Sequence, residues 1–211
     1  MPQSFVLNWS QKRLDQLQKD GEVGTSLTMM YGSPHSSAPS FRRYGVGQGD
    51  FIYIVGLKAG RLSLVTRACV AALITADAYF KDHLQLHEKM LKMHLWDMSE
   101  KLWEERRELG HRLPFGCVDE AALLSSASPV TLDRTIPVEV AAALRFRTKK
   151  GEERRLPLEG GLLKKLSALQ AHIHRLTPET APLLERLLRV SSGSKERPAT
   201  RSSPARPSKN A

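Results

Sequence analysis

The feature that most constrains this chain is a pair of β-strand patterns joined by a glycine-containing turn, from about Val46 to Val70. Phe51 to Val55 is a continuous aromatic and aliphatic run, and Arg61 to Val70 places apolar residues mostly at every second position. That period is typical of a strand with one buried face. Because the five residues Gly56 to Gly60 separate the two patterns, the sequence predicts an antiparallel β-hairpin.

The segment before the hairpin predicts two further strands and one helix. Ser4 to Trp9 is apolar enough for a short strand, and Ser10 is a suitable N-cap for the polar helix that follows it. Gly21 is expected to end that helix, because glycine adopts the left-handed conformation of a helix terminus without steric cost. Thr25 to Tyr31 then predicts a second strand, which a loop rich in Gly, Pro and Ser follows.

Beyond the hairpin the apolar spacing becomes helical. Apolar residues mostly three, four and seven positions apart predict one or two helices over Thr75 to Leu109. Pro137 to Leu144 fits a short helix, and Leu144 to Thr148 equally fits the start of a strand. Leu162 to Leu169 predicts another helix, and a last one is expected from Thr177 to Val190.

The net charge of +10 favours a polyanionic partner such as nucleic acid, because Lys and Arg that neutralise phosphates release counterions. Residues 191–211 contain five basic residues and one acidic residue, so they hold +4 of this charge and leave +6 on residues 1–190. This terminal segment has no hydrophobic residue larger than Ala, which predicts a disordered basic tail. Basic composition also serves solubility, so charge alone does not define a site.

Composition also excludes several classes of protein. No apolar run approaches the length of a membrane-spanning helix, and the N-terminus becomes polar too soon for a secretory signal. Cys69 and Cys117 are too few for a disulfide framework or a four-cysteine zinc site. We therefore expect a cytoplasmic protein with two reduced thiols and no membrane contact.

The spacing of the glycines between Gly45 and Asp50 is similar to that of a phosphate-binding loop. Such a loop lies between a strand and a helix N-terminus, whose unpaired amides hold the phosphate. Here a strand follows, the last glycine of Gly-x-Gly-x-x-Gly is absent, and no Gly-Lys-Ser/Thr occurs in the chain. No nucleotide cofactor is therefore expected.

Val46 stands three residues before the pair Gly49-Asp50, which directly precedes the first strand of the hairpin. This arrangement resembles the central hairpin of the PUA-like superfamily, especially its EVE-type and ASCH-type branches. Gly49 permits a sharp turn, and Asp50 can accept hydrogen bonds from nearby backbone amides. The resemblance implies an α+β fold, a PUA-like small β-barrel with a helical insertion at about 75–110 and C-terminal helices, as a single domain over 1–190.

The resemblance also implies a pocket beside the hairpin that holds a base or a similar flat polar ligand between aromatic side chains. Stacking on an aromatic ring tolerates any base, and hydrogen bonds to the base edge select one. The Gly-x-Lys-x-x-Glu signature of ASCH-type domains is absent, so no catalytic residue is assigned. By their positions, the residues expected to line this pocket are Asn8, Trp9, Tyr31, Ser33, Arg42, Arg43 and Tyr44.

Some of these residues have a purely structural explanation as well. Trp9 fits a buried core aromatic as readily as a stacking platform, and Arg42 and Arg43 fit a solvated pair. Arg134 lies in a predicted loop, where it either places a charge at the mouth of the ligand pocket or forms a structural salt bridge. The sequence leaves these alternatives open.

Other residues support two alternative functions. His83, His87 and His94 fall on one face of the predicted helix, and two imidazoles four residues apart can chelate a metal. The His-Glu-x-x-His pattern is absent, so polar histidines at the boundary of an amphipathic helix explain them better. Trp96 and Trp103, seven residues apart, share a helix face that fits a core stripe or a contact with a partner.

The sequence therefore favours a non-catalytic, ligand-reading module that binds DNA or RNA and holds one base, such as a modified or flipped base, in an aromatic pocket. This function requires neither a metal nor a cofactor. The alternatives are a metal-dependent nuclease or hydrolase, and an accessory subunit that docks a protein partner or a second copy through the Trp96 and Trp103 face.

Overall fold

The computed structural model describes residues 2–32, 40–75, 120–148, 150–164, 168–169 and 173–190. Several predictions concern residues outside these ranges and are not tested by the structure. They concern Ser33, the helices predicted up to Leu109, His83, His87, His94, Trp96, Trp103, Cys117 and the tail 191–211.

The described residues form an α+β fold dominated by one large sheet, which confirms the predicted class. Eight strands pair in the order β2-β5-β4-β3-β1-β10-β6-β7, and β8 pairs with β9 alone. Within the described residues β2 and β7 are the two ends of the sheet, so a closed barrel is not seen. The strands are β1 (Ser4–Trp9), β2 (Met29–Gly32), β3 (Phe51–Lys58), β4 (Arg61–Thr75), β5 (Glu120–Ala127), β6 (Arg145–Arg147), β7 (Glu153–Arg155), β8 (Leu158–Glu159), β9 (Leu162–Leu163) and β10 (Ile173–Leu176).

Helices cover both faces of the sheet. They are α1 (Gln11–Lys19), α2 (Val138–Ala143) and α3 (Ala181–Val190), and a short 3-10 helix spans Arg42–Tyr44. In the described part of the chain, no helix has the length and apolar character needed to cross a membrane.

The core consists of two apolar clusters, one on each face of the sheet. α1 packs Leu14 and Leu17 on one face, and α2 and α3 pack on the other, where Leu184 is fully buried. β1 contributes to both clusters, because Phe5 points towards α1 and Val6 points away from it. This two-sided burial explains why the sequence of β1 is nearly continuously apolar.

The Gly-Asp turn begins the hairpin as the sequence predicts. Gly49 has a φ of 82°, and the buried Asp50 carboxylate accepts hydrogen bonds from the backbone N–H groups of Gly47 (2.8 Å) and Gln3 (2.7 Å). The N–H of Phe51 then donates to the carbonyl oxygen of Gln3 at 2.8 Å. Because Gln3 directly precedes β1, Asp50 joins the first strand to the hairpin at the point where β1 and β3 begin their parallel pairing.

The turn at the tip of the hairpin is tighter than predicted. β3 continues through Gly56 to Lys58, and the turn consists of Ala59 and Gly60 alone. Their φ values of 50° and 76° are positive, as a two-residue type I′ turn requires. Gly56 therefore lies inside the strand. A Cβ at this position would be 2.6 Å from Leu14 Cδ1, so the glycine permits the close approach of α1.

β4 is buried on both faces, whereas its sequence pattern predicts one buried face. Leu64 belongs to the cluster under α2 and α3, and Ala68 belongs to the cluster under α1. The pairing with β3 shifts between Ile54 and Val55, which leaves Val65 as an extra residue on β4. A β-bulge of this kind moves the following side chains to the other face of the sheet.

The predictions for the N-terminal elements are confirmed with one change of length. β1 and α1 lie where expected, and the Ser10 hydroxyl oxygen accepts a hydrogen bond from the Arg13 N–H at the start of α1. Gly21 follows α1 with a φ of 75°. The second strand, predicted from Thr25, begins only at Met29.

The C-terminal predictions are partly wrong. Both interpretations of 137–148 are correct in succession, because α2 leads directly into β6. The helix predicted from Leu162 is wrong there: Leu162–Leu163 is β9, which folds back on β8 through Gly160 and Gly161, both with positive φ. The last helix begins at Ala181, because Thr180 forms a hydrogen-bonded turn with Thr177 before it. β5 was not predicted.

We expect Gly56→Ala to lower the free energy of unfolding by about 1–3 kcal/mol, because the added methyl group overlaps Leu14. Gly47→Ala is the control, since a Cβ at that position meets no atom closer than 3.8 Å. Urea denaturation of the two variants and the parent chain measures the difference. Equal stability of the two variants would contradict the close contact between α1 and the sheet.

Candidate functional site

A cavity of about 620 Å³ lies at the end of the sheet formed by β6, β7 and β10. The short 3-10 helix forms another part of its wall. The lining that the structure describes contains five arginines and one histidine, and no Asp or Glu. Its aromatic and basic side chains are Arg43, Tyr44, Phe146, Arg147, Arg154, Arg155, His174 and Arg175.

The strand pattern explains why the arginines meet here. β6 reads Arg-Phe-Arg, and the period of two puts Phe146 into the core with 5% exposure while Arg147 stays exposed. Arg147 lies opposite Arg175 in the antiparallel pairing of β6 with β10. β7 adds the exposed Arg154 and Arg155 at the end of the sheet.

Within the described residues, most of these arginines have no ion-pair partner, although Arg147 interacts electrostatically with the exposed Glu179. Among the residues that the structure describes, no acidic side chain forms an ion pair with Arg43, Arg147, Arg155 or Arg175. Arg154 lies 3.8 Å from a carboxylate oxygen of Glu152, in an exposed pair. Like charges opposite each other destabilise a sheet, so a bound anion between Arg147 and Arg175 would relieve their repulsion.

The aromatic residues of the cavity differ in what they offer a ligand. Tyr44 is half-buried and follows directly after Arg43 in the short 3-10 helix. Phe146 is buried, and the ring of His174 contacts it edge-on with centroids 5.5 Å apart. Of the two benzene-type rings in the lining, Phe146 is therefore buried and Tyr44 is partly exposed.

The structure places two of the eight predicted ligand-binding residues, Arg43 and Tyr44, in this lining. Trp9 and Tyr31 are 2% and 3% exposed. The guanidinium carbon of Arg13, on α1, lies 3.9 Å from the centre of the Trp9 ring. Burial lowers the pKa of Arg13 to about 9, an effect that Tyr31 opposes, so Arg13 remains charged at neutral pH and covers the Trp9 ring with a cation of the same chain.

The other described residues of the predicted pocket lie apart from the cavity. Asn8 is on the opposite face of β1 from Trp9, and its Oδ1 is buried without a hydrogen bond to the described residues. The Nε of Arg42 lies 3.7 Å from the carboxylate of Glu120, at the β5 side of the sheet. Arg134 lies in the loop before α2, and its carbonyl oxygen accepts a hydrogen bond from the backbone of β4. These residues do not converge on one site in the structure.

Sequence reasoning missed most of the arginines of the cavity. A usable signal was present, because residues 145–155 contain six basic residues and two acidic ones around one buried Phe. The role of Arg175 had no such signal, because it depends on the pairing of β10 with β1 and β6. In the part of the chain that the structure covers, no group of three His, Cys, Asp or Glu side chains is placed to hold a metal ion.

Comparison with known proteins gives two structural neighbours. No family model matches the sequence, and no curated protein does. The crystal structure of ASCH from Zymomonas mobilis is 12% identical, with 88% of this chain and 95% of that chain covered and a TM-score of 0.34. A mutant of the same protein is 14% identical, with 81% and 99% covered and a TM-score of 0.26. At these values neither neighbour identifies a family for this chain.

We expect Trp9→Leu to lower the free energy of unfolding by about 2–4 kcal/mol, because it removes a buried indole under Arg13. Binding of a labelled single-stranded oligonucleotide, measured under conditions where the variant is folded, should be unchanged. Thermal denaturation measures the stability of the variant, and fluorescence anisotropy measures its affinity for the oligonucleotide. Weaker oligonucleotide binding by a folded Trp9→Leu variant would instead place Trp9 in the binding site.

Proposed function

We propose that this protein is a non-catalytic module that binds nucleic acid, DNA or RNA, through the arginine-lined cavity. The observation that carries this proposal is the convergence of five arginines in a cavity whose described lining has no acidic residue. Arginine forms a planar fork of N–H donors that matches phosphate oxygens, and it also stacks on planar rings. A cavity of about 620 Å³ is within the usual size for a small-molecule ligand such as a nucleotide.

The proposal assigns different tasks to the lining residues. Arg147 and Arg175 hold a phosphate between adjacent strands, and Arg43 and Arg155 contribute charge at the sides of the cavity. Tyr44 contacts one base, which is a modified or flipped base where the partner is a duplex. Binding by such a site depends strongly on salt, because each phosphate contact releases counterions.

The proposal extends to the architecture of the whole chain. We propose a PUA-like barrel of the EVE or ASCH type as a single domain over residues 1–190, with the helical elaboration at about 75–110. The Gly49-Asp50 turn and its backbone hydrogen bonds support this assignment. The tail 191–211 adds phosphate contacts without sequence preference, since five of its residues are basic.

The experiment measures the affinity of the full chain for fluorescein-labelled, mixed-sequence RNA and DNA decamers by fluorescence anisotropy at several salt concentrations. We expect saturable binding that weakens steeply with salt. Arg155→Gln should weaken binding about fivefold and make it less dependent on salt, because the positive charge that Arg155 contributes at the side of the cavity is lost. Arg155 is exposed and has no ion pair within the described residues, so this variant is expected to fold normally.

Arg186→Gln is the matched control. Arg186 is also exposed, and its substitution removes the same charge, but this residue lies on α3 outside the cavity lining. Its affinity should remain close to that of the parent chain. Equal weakening by both variants would show that binding depends on overall charge rather than on the cavity. The proposed function would be refuted if neither decamer showed saturable binding.

A further inference from the structure

A second groove, of about 630 Å³, adjoins the arginine-lined cavity. Arg147 and Arg175 line both spaces, so a ligand longer than one nucleotide can occupy the two together. The groove runs beside α3 and over the start of β1 and β3. Its other charged residues are Arg67 on β4 and Glu185 and Arg189 on α3.

The groove contains a connected set of side chains that the cavity lacks. The Tyr53 hydroxyl donates a hydrogen bond of 2.6 Å to Glu185 Oε1. Arg67 Nε lies 2.9 Å from the same oxygen, off the direction of a hydrogen bond, so this contact is an ion pair. The guanidinium carbon of Arg67 lies 4.3 Å from the centre of the Phe51 ring, which holds the guanidinium over that ring.

These contacts leave one oxygen of the Glu185 carboxylate for a ligand. Burial raises the pKa of Tyr53, and its hydrogen bond to Glu185 raises it further, so Tyr53 remains a donor at neutral pH. Oε1 is therefore occupied by Tyr53 and Arg67, whereas Oε2 has no hydrogen bond to the described residues. The groove thus presents a hydrogen-bond acceptor among arginines.

We infer that this groove is a second nucleotide subsite, which selects bases that carry an exocyclic amino group. The inference rests on the proposed function. The phosphate between two nucleotides lies on Arg147 and Arg175, the base stacks against Arg67, and its amino group donates to Glu185 Oε2. Phosphate itself is disfavoured beside Glu185, because the carboxylate repels it.

Cytosine and uracil distinguish this site most directly, because both are pyrimidines of similar stacking surface. Cytosine presents an amino group at position 4. Uracil presents a carbonyl oxygen there, and its N3–H lies between two carbonyl oxygens that the carboxylate repels. Since both bases fill the same space, a difference in affinity reports the contact with Glu185 rather than shape.

The experiment compares the affinities of the full chain for cytosine and uracil RNA decamers by competition anisotropy at neutral pH, and for the corresponding deoxycytidine and deoxyuridine DNA decamers. We expect the parent chain to bind the cytosine decamer about fivefold to tenfold more tightly in at least one of the two nucleic acids. A ratio near one in both would overturn the inference.

Glu185→Gln tests the assigned residue. Tyr53 and Arg67 are both donors, so they will orient the new amide with its oxygen towards them and its NH₂ group towards the groove. The preference for cytosine should then disappear or reverse, because the groove now presents a donor. A folded Glu185→Gln variant that keeps the parent ratio would overturn the inference, as would loss of the ratio in the Arg186→Gln control.

Arg67→Lys tests the stacking contact, because it keeps the positive charge beside Glu185. It removes the planar group over Phe51, so affinity for both decamers should fall about threefold or more. Unchanged affinity for both would overturn the stacking contact. Failure of the second subsite can be distinguished from failure of the proposed function. If Arg155→Gln weakens binding while the cytosine and uracil decamers bind equally well, the cavity binds nucleic acid and the second subsite does not exist.

Discussion

The Asp50 carboxylate is the interaction on which the geometry of the site depends. It accepts hydrogen bonds from Gly47 and Gln3 and so fixes the N-terminal strand to the start of the hairpin. β10 pairs with β1, and β6 pairs with β10, so the position of Arg147 and Arg175 follows from the position of β1. The short 3-10 helix that brings Arg43 and Tyr44 to the cavity lies directly before the Gly-Asp turn in the chain.

The arginines of the cavity form a candidate site that the fold alone does not require. Arg147 and Arg175 face each other on adjacent strands, where like charges repel. No carboxylate of the described residues lies within ion-pair distance of either of them, and Glu179 interacts with Arg147 only at longer range. In the function we propose, a polyanion satisfies both residues at once and extends into the neighbouring groove beside α3.

The sequence predicted the elements whose signals are local. The strand before Ser10, the capped helix after it and the Gly-Asp turn depend on neighbouring residues, and all are present. The sequence places Gly56 in a turn, whereas it lies in β3. A glycine is needed there because of the contact with Leu14, a residue 42 positions earlier in the chain, and such a contact leaves no local sequence signature. The change of buried face along β4 was missed for a similar reason, since it depends on a bulge in the pairing with β3.

The site was harder to predict than the fold. Arg43 and Tyr44 were predicted because they precede the hairpin, but the strands that complete the cavity are only three or four residues long and have weak patterns. Their arginines belong to one site because β10 inserts between β1 and β6, a pairing across more than 160 residues of the chain. Long-range pairing of this kind has no counterpart in local sequence spacing.

The most direct measurement for the central claim is photo-crosslinking of the full chain to a single-stranded decamer that carries a photoreactive base, with the crosslinked peptides identified by mass spectrometry. We expect crosslinks in peptides covering 40–45, 145–157 and 173–189, the segments around the cavity and the groove. Crosslinks confined to the tail 191–211, or to α1 and the opposite end of the sheet, would contradict it.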